Sequence, residues 1–441
     1  MERRKFIQSA TAAGIGLGIA GRHWSAFGKN SPAEKVIVGV MGTNGRGAAL
    51  AGNLARQAGA EVAYICDVDD KAMAKGMKAV TDAQKRTPKG VKDFRKALED
   101  KSLDALVIAA PDHWHAPAAM LACAAGKHVY VEKPCGHNPR EGELLVEAAR
   151  THQRVVQMGS QRRSWPYIIE AMGELKNGII GRVYFAKGWY TNNRAPIGVG
   201  KPAAVPSGLD YELWQGPAPR KPYRDNLIHY NWHWFWNWGT GEACNNGTHE
   251  IDVMRWGLGV DYPIRVTSSG GRYAHRDDWE TPDTQVISFE FADQKAMTWE
   301  GRSCNSYPVE GAGRGVIFYG EKGSMVTTGD NAYAIYDPKN KLVKEVKEDQ
   351  KTNKIDPTGP GDRLDAYHLV NFMDCIRNGG KPNADIETGH RSVLLCHLGN
   401  IAQRTARTLR CDPAAGGKIL DDREAMALWH RDYEPGWEPK V

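Results

Sequence analysis

Val36-Ile-Val-Gly-Val-Met41 is an apolar run that breaks at once into Gly42-Thr-Asn44-Gly45-Arg46-Gly47. An amphipathic run follows, with Ala48, Leu50, Ala51 and Leu54 as its apolar members. Strand, glycine turn, helix is the context that a dinucleotide-binding fingerprint requires. Glycine lets the backbone approach a pyrophosphate, and the free N–H groups of the helix start meet its negative charge. The spacing departs from G-x-G-x-x-G, because Asn44 occupies the middle glycine position. Asn visits left-handed backbone more readily than other non-glycine residues, so the turn remains feasible. Arg46 is expected to add a charge near the phosphates.

A second apolar run, Val62-Ala-Tyr-Ile-Cys66, ends at Asp67, twenty-five residues after Gly42. An acid there accepts adenosine ribose hydroxyls and repels a 2′-phosphate, which favours NAD and leaves NADP as the second choice. The competing reading of Asp67 is a turn residue in Asp67-Val-Asp69-Asp70.

The pattern then alternates. Residues 72–83 and 92–99 read as helices, 103–109 as a buried strand, and 116–125 as an Ala-rich helix closed by Gly126. His128–Val131 reads as a strand, Asn138-Pro139 as the start of a helix to about residue 151, and 154–158 as another strand. Alternating β and α predicts a doubly wound parallel sheet, an α/β Rossmann domain, over residues 34–158. Beyond residue 160 a helix (165–176) and a strand (182–190) lead into the Pro- and Gly-rich stretch 195–223, expected to be an ordered loop over a site. Strands then follow one another at 264–270, 284–291, 296–301, 315–319, 324–327 and 333–336, before helices at 362–378 and 387–409 and an extended tail. Consecutive strands predict a second, α+β domain over residues 159–441 with a mostly antiparallel sheet.

At 441 residues two domains are expected. The net charge of +6 is spread without a long basic run, so nucleic acid is not the expected partner. No run of eighteen apolar residues occurs past the first thirty, so no membrane span is expected in the mature protein. Within residues 1–30, Arg3-Arg4-Lys5-Phe6-Ile7 precedes a weakly apolar Gly/Ala stretch, the pattern of a twin-arginine export signal, which predicts a periplasmic or otherwise exported protein. Eight cysteines form no C-x-x-C, so neither a metal site nor a disulfide framework is expected.

Ligands in open α/β sheets bind beyond the carboxyl ends of the strands. Two such ends give Pro111-Asp112-His113-Trp114-His115 and Glu132-Lys133-Pro134. Pro111, Asp112, His115 and Glu132 are therefore expected beside the cofactor. A partly desolvated Lys133 has a lowered pKa and can assist removal of a hydroxyl proton. The bland alternatives are a surface ion pair for Glu132-Lys133 and capping or core roles for His113 and His115. A third element runs from Gly239 to Trp256 and reads as helix from Asn245 onward, with Asn245, His249, Asp252 and Trp256 on one stripe. A His beside an amide suits a general base with a hydroxyl-positioning partner. Upstream, Trp232-His-Trp-Phe-Trp-Asn-Trp238 suits sugar stacking or core packing, and in a strand its Trp residues would share one face.

The order of the glycine turn, the Pro-Asp-His-Trp-His strand end, Glu132-Lys133-Pro134 and the helix with His249 resembles the Gfo/Idh/MocA family of oxidoreductases over residues 34–410. Gly389-His390-Arg391-Ser392 is similar to its exported branch. The resemblance implies a Rossmann domain followed by an α/β domain with a large open sheet that forms a dimer or tetramer interface. It implies that Lys133 contacts the reacting hydroxyl, that His249 exchanges its proton, and that Gln161 lies near the nicotinamide. Inositol dehydrogenase-like members carry Asp four residues before the catalytic His; Asn245 stands here, removing a charge that would raise the His pKa. The expected function is NAD(P)-dependent oxidation or reduction of a sugar, glycoside or polyol with tightly bound cofactor. The alternatives are redox-neutral, NAD-dependent glycoside cleavage and a non-catalytic sugar- or nucleotide-binding protein.

Overall fold

A computed structural model of the chain describes residues 35–347 and 360–441. The basic N-terminal segment expected to direct export lies outside the described residues. Among those described, six parallel strands form the first sheet: β1 (Val36–Met41), β2 (Ala60–Cys66), β3 (Lys89–Val91), β4 (Ala105–Ile108), β5 (His128–Val131) and β6 (Val156–Met158). Their order, β3-β2-β1-β4-β5-β6, is that of a Rossmann sheet. Strands covered on both faces read as unbroken apolar runs, and all four residues of β4 are buried. The short β3 escaped the sequence reading because it is a polar, exposed edge strand. The helix expected at residues 92–99 is confined to Arg95–Leu98.

The first core is not closed by residues 34–158 alone. The helix Pro360–Asn378 returns from the far part of the chain and packs Leu369, Phe372 and Met373 with Val38, Leu54 and Tyr130. The C-terminal tail is pinned rather than free. Trp437 meets Trp114 edge to face at 5.2 Å, and the Tyr433 hydroxyl donates to Glu141 Oε1 at 2.9 Å.

The second sheet contains ten strands among the described residues. They are β7 (Val183–Thr191), β8 (Arg265–Gly271), β9 (Thr284–Phe291), β10 (Lys295–Arg302), β11 (Arg314–Gly320), β12 (Gly323–Thr327), β13 (Ala332–Tyr336), β14 (Leu342–Lys347), β15 (Leu409–Asp412) and β16 (Lys418–Ile419). The order is β14-β13-β12-β11-β7-β10-β9-β8-β15-β16. Pairing is antiparallel except between β7 and β10. One face is covered by the helices Gly247–Leu258 and Ile386–Thr405, which enclose Trp299, Phe289 and Phe318. The helix Ile386–Thr405 stops where Ala406 turns left-handed (φ 52°), and Leu409 starts a strand rather than ending the helix.

Two further expectations are corrected. The stretch 195–223 is a loop that carries a short helix, Tyr211–Gln215. The aromatic segment is no strand: Asn231–Trp234 forms a 3₁₀ turn, and Trp234 stacks on Trp279 with centroids 3.9 Å apart.

A buried ion pair ties the turn Gln161–Ser164, just after β6, to the helix Gly247–Leu258. Arg163 donates through Nε and Nη2 to Asp252 Oδ1 (3.0 and 2.8 Å) and through Nε to Oδ2 (2.8 Å), and Ser392 Oγ adds a bond to Oδ1 at 2.6 Å. Burial alone would raise the Asp252 pKa; the Arg163 charge and hydrogen bonds outweigh it and hold the carboxyl below its ordinary value. Removing one partner leaves a buried charge unpaired, at a cost of about 3–5 kcal/mol. Asp252→Ala is expected to lose that much stability in urea unfolding. Because the folded pKa is depressed, the contribution of Asp252 is complete above pH ~4, the ordinary Asp value, and is lost as pH falls through the folded value. The gap between wild type and variant should be flat from pH 6 to 8 and close in acid.

Candidate active site

The glycine turn after β1 is built by sterics. Gly42 has φ +81°, and a Cβ there would lie 2.6 Å from the Ala110 backbone. A Cβ on Gly47 would lie 1.8 Å from the Gly42 carbonyl oxygen. Gly45 is different: a Cβ would meet nothing within 4 Å. The helix Arg46–Arg56 begins there with no side-chain cap and no acid in its first turn. An uncapped helix start with open space before it suits a pyrophosphate. Asn44 Oδ1 accepts from Lys75 Nζ at 2.6 Å.

Asp67, at the end of β2, leans over this turn. Its Oδ2 accepts from Thr43 N at 2.5 Å and its Oδ1 from Asp69 N at 3.0 Å. Burial raises its pKa against those N–H bonds. It is at once a turn residue and a lining residue of the cleft.

Arg46 is not free for phosphate. Its Nε donates to Glu132 Oε1 at 2.8 Å, and Nη1 and Nη2 grip Asp365 at 2.5 and 3.0 Å. Asp365 comes from a helix 319 positions away, which sequence spacing gives no means of finding. Glu132 Oε1 also accepts from Gln161 Nε2 at 3.1 Å. Burial would raise the Glu132 pKa, but Arg46 and Lys133 together hold it below the ordinary carboxylate range.

Lys133 Nζ donates to Asn245 Oδ1 at 2.9 Å, across the seam between the two halves. The Asn245 amide is oriented by its other end, where Nδ2 donates to Glu242 Oε1 at 3.1 Å. Glu242 further accepts from Arg194 Nε (2.8 Å), Ser303 Oγ (3.0 Å) and Asn246 Nδ2 (2.5 Å). An aspartate at position 245 would set a second carboxylate against Glu242, so the amide is the group that fits. Burial pulls the Lys133 pKa below its ordinary value, partly offset by Glu132 and Asp112.

The helix expected from Asn245 onward is broken. Gly241–Asn245 ends one helix and Gly247–Leu258 forms the next. Asn245 and His249 nevertheless line one cavity, but Asp252 and Trp256 do not continue the stripe into it. Asp252 is taken by Arg163, whose guanidinium lies 4.8 Å over the Trp256 ring. Burial, with cationic repulsion from Arg314, Lys133, Arg162 and Arg46, holds the His249 imidazole well below its ordinary pKa.

Pro111, Asp112 and His115 reach the same cavity. Asp112 Oδ2 accepts from Thr240 Oγ1 at 2.5 Å, and burial raises its pKa. His115 spends both ring nitrogens on carbonyls, Pro134 at 2.6 Å and Ala110 at 2.7 Å, which leaves it no ring nitrogen for a cofactor. His113 is likewise structural, with Nε2 2.9 Å from the Trp214 carbonyl oxygen. One cavity of about 620 Å³ thus gathers every expected site residue except Gly47, which sits beneath the turn.

The cavity also takes Arg162, Trp165, Arg314, Tyr230 and His229. Arg162 adjoins Gln161, a signal within reach of the sequence. Arg314 begins β11 and arrives only through sheet topology. The aromatic segment divides its duties: Trp232 and His233 face the cavity while Trp234 is core. His229 Nε2 lies 2.8 Å from Asp69 Oδ2, closing the aromatic segment over the β2 end.

Rossmann sheet, open glycine turn and strand-end acid define a nicotinamide-dinucleotide-binding protein. Residues 33–160 match an oxidoreductase family described as an NAD-binding Rossmann fold, and residues 189–438 match its C-terminal alpha/beta domain. The chain belongs to the Gfo/Idh/MocA oxidoreductase family. A glycosyl hydrolase family 109 protein of Saccharopolyspora erythraea is 30% identical over 212 residues, 43% of this chain and 46% of that one. The chain thus spans under half the length of that relative. An inositol 2-dehydrogenase of Rubrobacter xylanophilus is 29% identical over 66% of this chain and 71% of that one. The structure of levoglucosan dehydrogenase in complex with NADH and levoglucosan aligns with TM-score 0.67 at 18% identity, over 85% of this chain and 99% of that one, and shares the fold.

The glycine geometry separates binding from folding. Gly45→Ala should fold with wild-type thermal stability yet lose at least about tenfold in NAD affinity, since a methyl enters the phosphate space. Gly47→Ala should lower the melting temperature, because its Cβ would overlap the Gly42 carbonyl oxygen. Melting curves and titration with NAD check both.

Proposed function

We propose that this protein oxidises or reduces a CH–OH group of a sugar, glycoside or polyol, using NAD held tightly in the cleft. The observation that carries this reading is the meeting of Lys133 and His249, from opposite sides of the seam, in the cavity that opens from the glycine turn. When bound, the nicotinamide supplies the hydride acceptor or donor. The residues supply the rest. Asp67 receives the ribose hydroxyls. Glu132, fixed by Arg46, and Gln161 hold the nicotinamide end. Lys133 donates a hydrogen bond to the reacting hydroxyl while Asn245 steadies the ammonium. His249, neutral because burial and four cations disfavour its imidazolium, takes the hydroxyl proton in oxidation and returns it in reduction. The inositol and levoglucosan dehydrogenases similar to this chain support the substrate class.

A second reading is redox-neutral glycoside cleavage, in which the sugar is oxidised transiently and the hydride returned. The family 109 relative favours it, as does the proposed export by the twin-arginine route, since a cofactor carried out with the folded protein is reset in place. Assembly through the second sheet is likewise proposed; apolar Val286 stands on its outward face.

The test is single turnover of NAD-loaded protein with a panel of sugars and polyols, followed at 340 nm. Lys133→Ala and His249→Ala should each lose about 10²–10⁴-fold in rate; two fully active variants contradict the assignment. A nitrophenyl glycoside assay before and after borohydride reduction of the bound cofactor separates cleavage from net oxidation. The pH profile carries a sign. A neutral base works at every pH above its own pKa, so oxidation should stay flat from pH 8 through about 6.5, the ordinary imidazole value, with its acid limb below that. A limb centred at the ordinary value contradicts a His249 held neutral by its surroundings.

A further inference from the structure

The substrate end of the cavity holds more positive charge than its own acids compensate. Arg162 Nη1 lies 3.1 Å from Glu250 Oε1. Arg314 lays Nε and Nη2 against that same oxygen at 3.0 and 2.9 Å. Two guanidinium groups therefore lean on one oxygen of one carboxylate. Glu250 is fully buried, and its Oε2 has no hydrogen-bond partner. The remaining contacts of Arg314 carry no formal charge: Nη1 reaches Asn246 Oδ1 at 3.5 Å, and the guanidinium lies 5.2 Å over the Tyr190 ring. The other acids are committed or distant. Glu132 and Asp365 hold Arg46, Asp112 accepts from Thr240 and faces Lys133, Asp252 attracts Arg162 but is held by Arg163, Asp67 belongs to the glycine-turn end, and Asp330 is exposed at the cavity rim.

Arg162 is only 5% exposed. An uncompensated cation in such a place is costly unless an anion completes it. The strain is legible in its pKa: burial first, then repulsion from Arg314, brings the Arg162 guanidinium down to about 10. Guanidinium forks are also the geometry that grips a planar carboxylate.

We propose that the substrate is a sugar acid, whose carboxylate is received by Arg162 and Arg314 while a ring hydroxyl meets Lys133 and His249. One uncompensated charge matches a monoanionic carboxylate rather than a dianionic phosphate. Because the two arginines line the same cavity as His249, a carboxylate held there fixes which ring carbon faces the reacting groups. This assignment rests on the sugar-oxidoreductase reading and narrows it.

The experiment uses NAD-loaded, full-length protein. Calorimetric titrations compare D-glucuronate with D-glucose and D-galacturonate with D-galactose, with inorganic phosphate as a further arm. At least one uronate should bind ten or more times tighter than its neutral partner, and the preference should weaken as salt rises. Arg314→Gln and Arg162→Gln should each bring uronate and hexose to parity, while Arg314→Lys keeps part of the preference. Should Arg162→Gln fail to fold, Arg314→Gln alone decides the point. Neutral sugars binding as tightly as uronates would overturn the proposal. So would a uronate preference that survives in the arginine variants, tighter binding of phosphate than of any uronate, or protein that retains NAD and binds no sugar of either kind. Protein unable to retain NAD would strike instead at the broader reading.

Discussion

The hydrogen bond from Lys133 Nζ to Asn245 Oδ1, 2.9 Å long, joins the two halves of the chain at the cleft. A loop after one Rossmann strand supplies the ammonium, and a short helix of the second domain supplies the amide. Neither group is held by that bond alone. Glu242 turns the amide so that its oxygen faces the lysine, and Glu132, Arg46 and Asp365 brace the loop from behind. The cleft is the gap these constraints leave open.

Charge is distributed unevenly around that gap. At the glycine-turn end an acid and uncapped helix N–H groups await a dinucleotide. At the far end the lysine, two arginines and an imidazole converge. Burial first, and then repulsion from these cations, keep His249 uncharged and receptive to a proton, which is the state that alcohol oxidation requires. The same positive potential suits the anionic substrate proposed above.

The Rossmann half was legible because its signals are local. An apolar run, a glycine turn and an acid at the next strand end lie between Val36 and Asp67, and the strand-end motifs follow by alternation. Lys133, Asn245 and His249 could be singled out by residue type and spacing. What sequence could not give was partnership across long separations. Spacing gave no sign that Asp365 holds Arg46 or that two carbonyls hold the His115 ring. The helical stripe through Asp252 failed because the helix breaks at Asn246 and a buried arginine competes for the carboxylate. Arg314 carried no signal, since a strand's first residue acquires meaning only when the sheet closes.

The central claim is that a substrate C–H hydrogen passes to a nicotinamide lying between Lys133 and the glycine turn. The most direct measurement exposes NAD-loaded protein to perdeuterated sugars and sugar acids. The protein is then denatured and the released cofactor weighed by mass spectrometry. The account predicts one deuterium on the nicotinamide ring from wild type and none from Lys133→Ala. Consumption of a sugar with no label ever reaching the cofactor would contradict it.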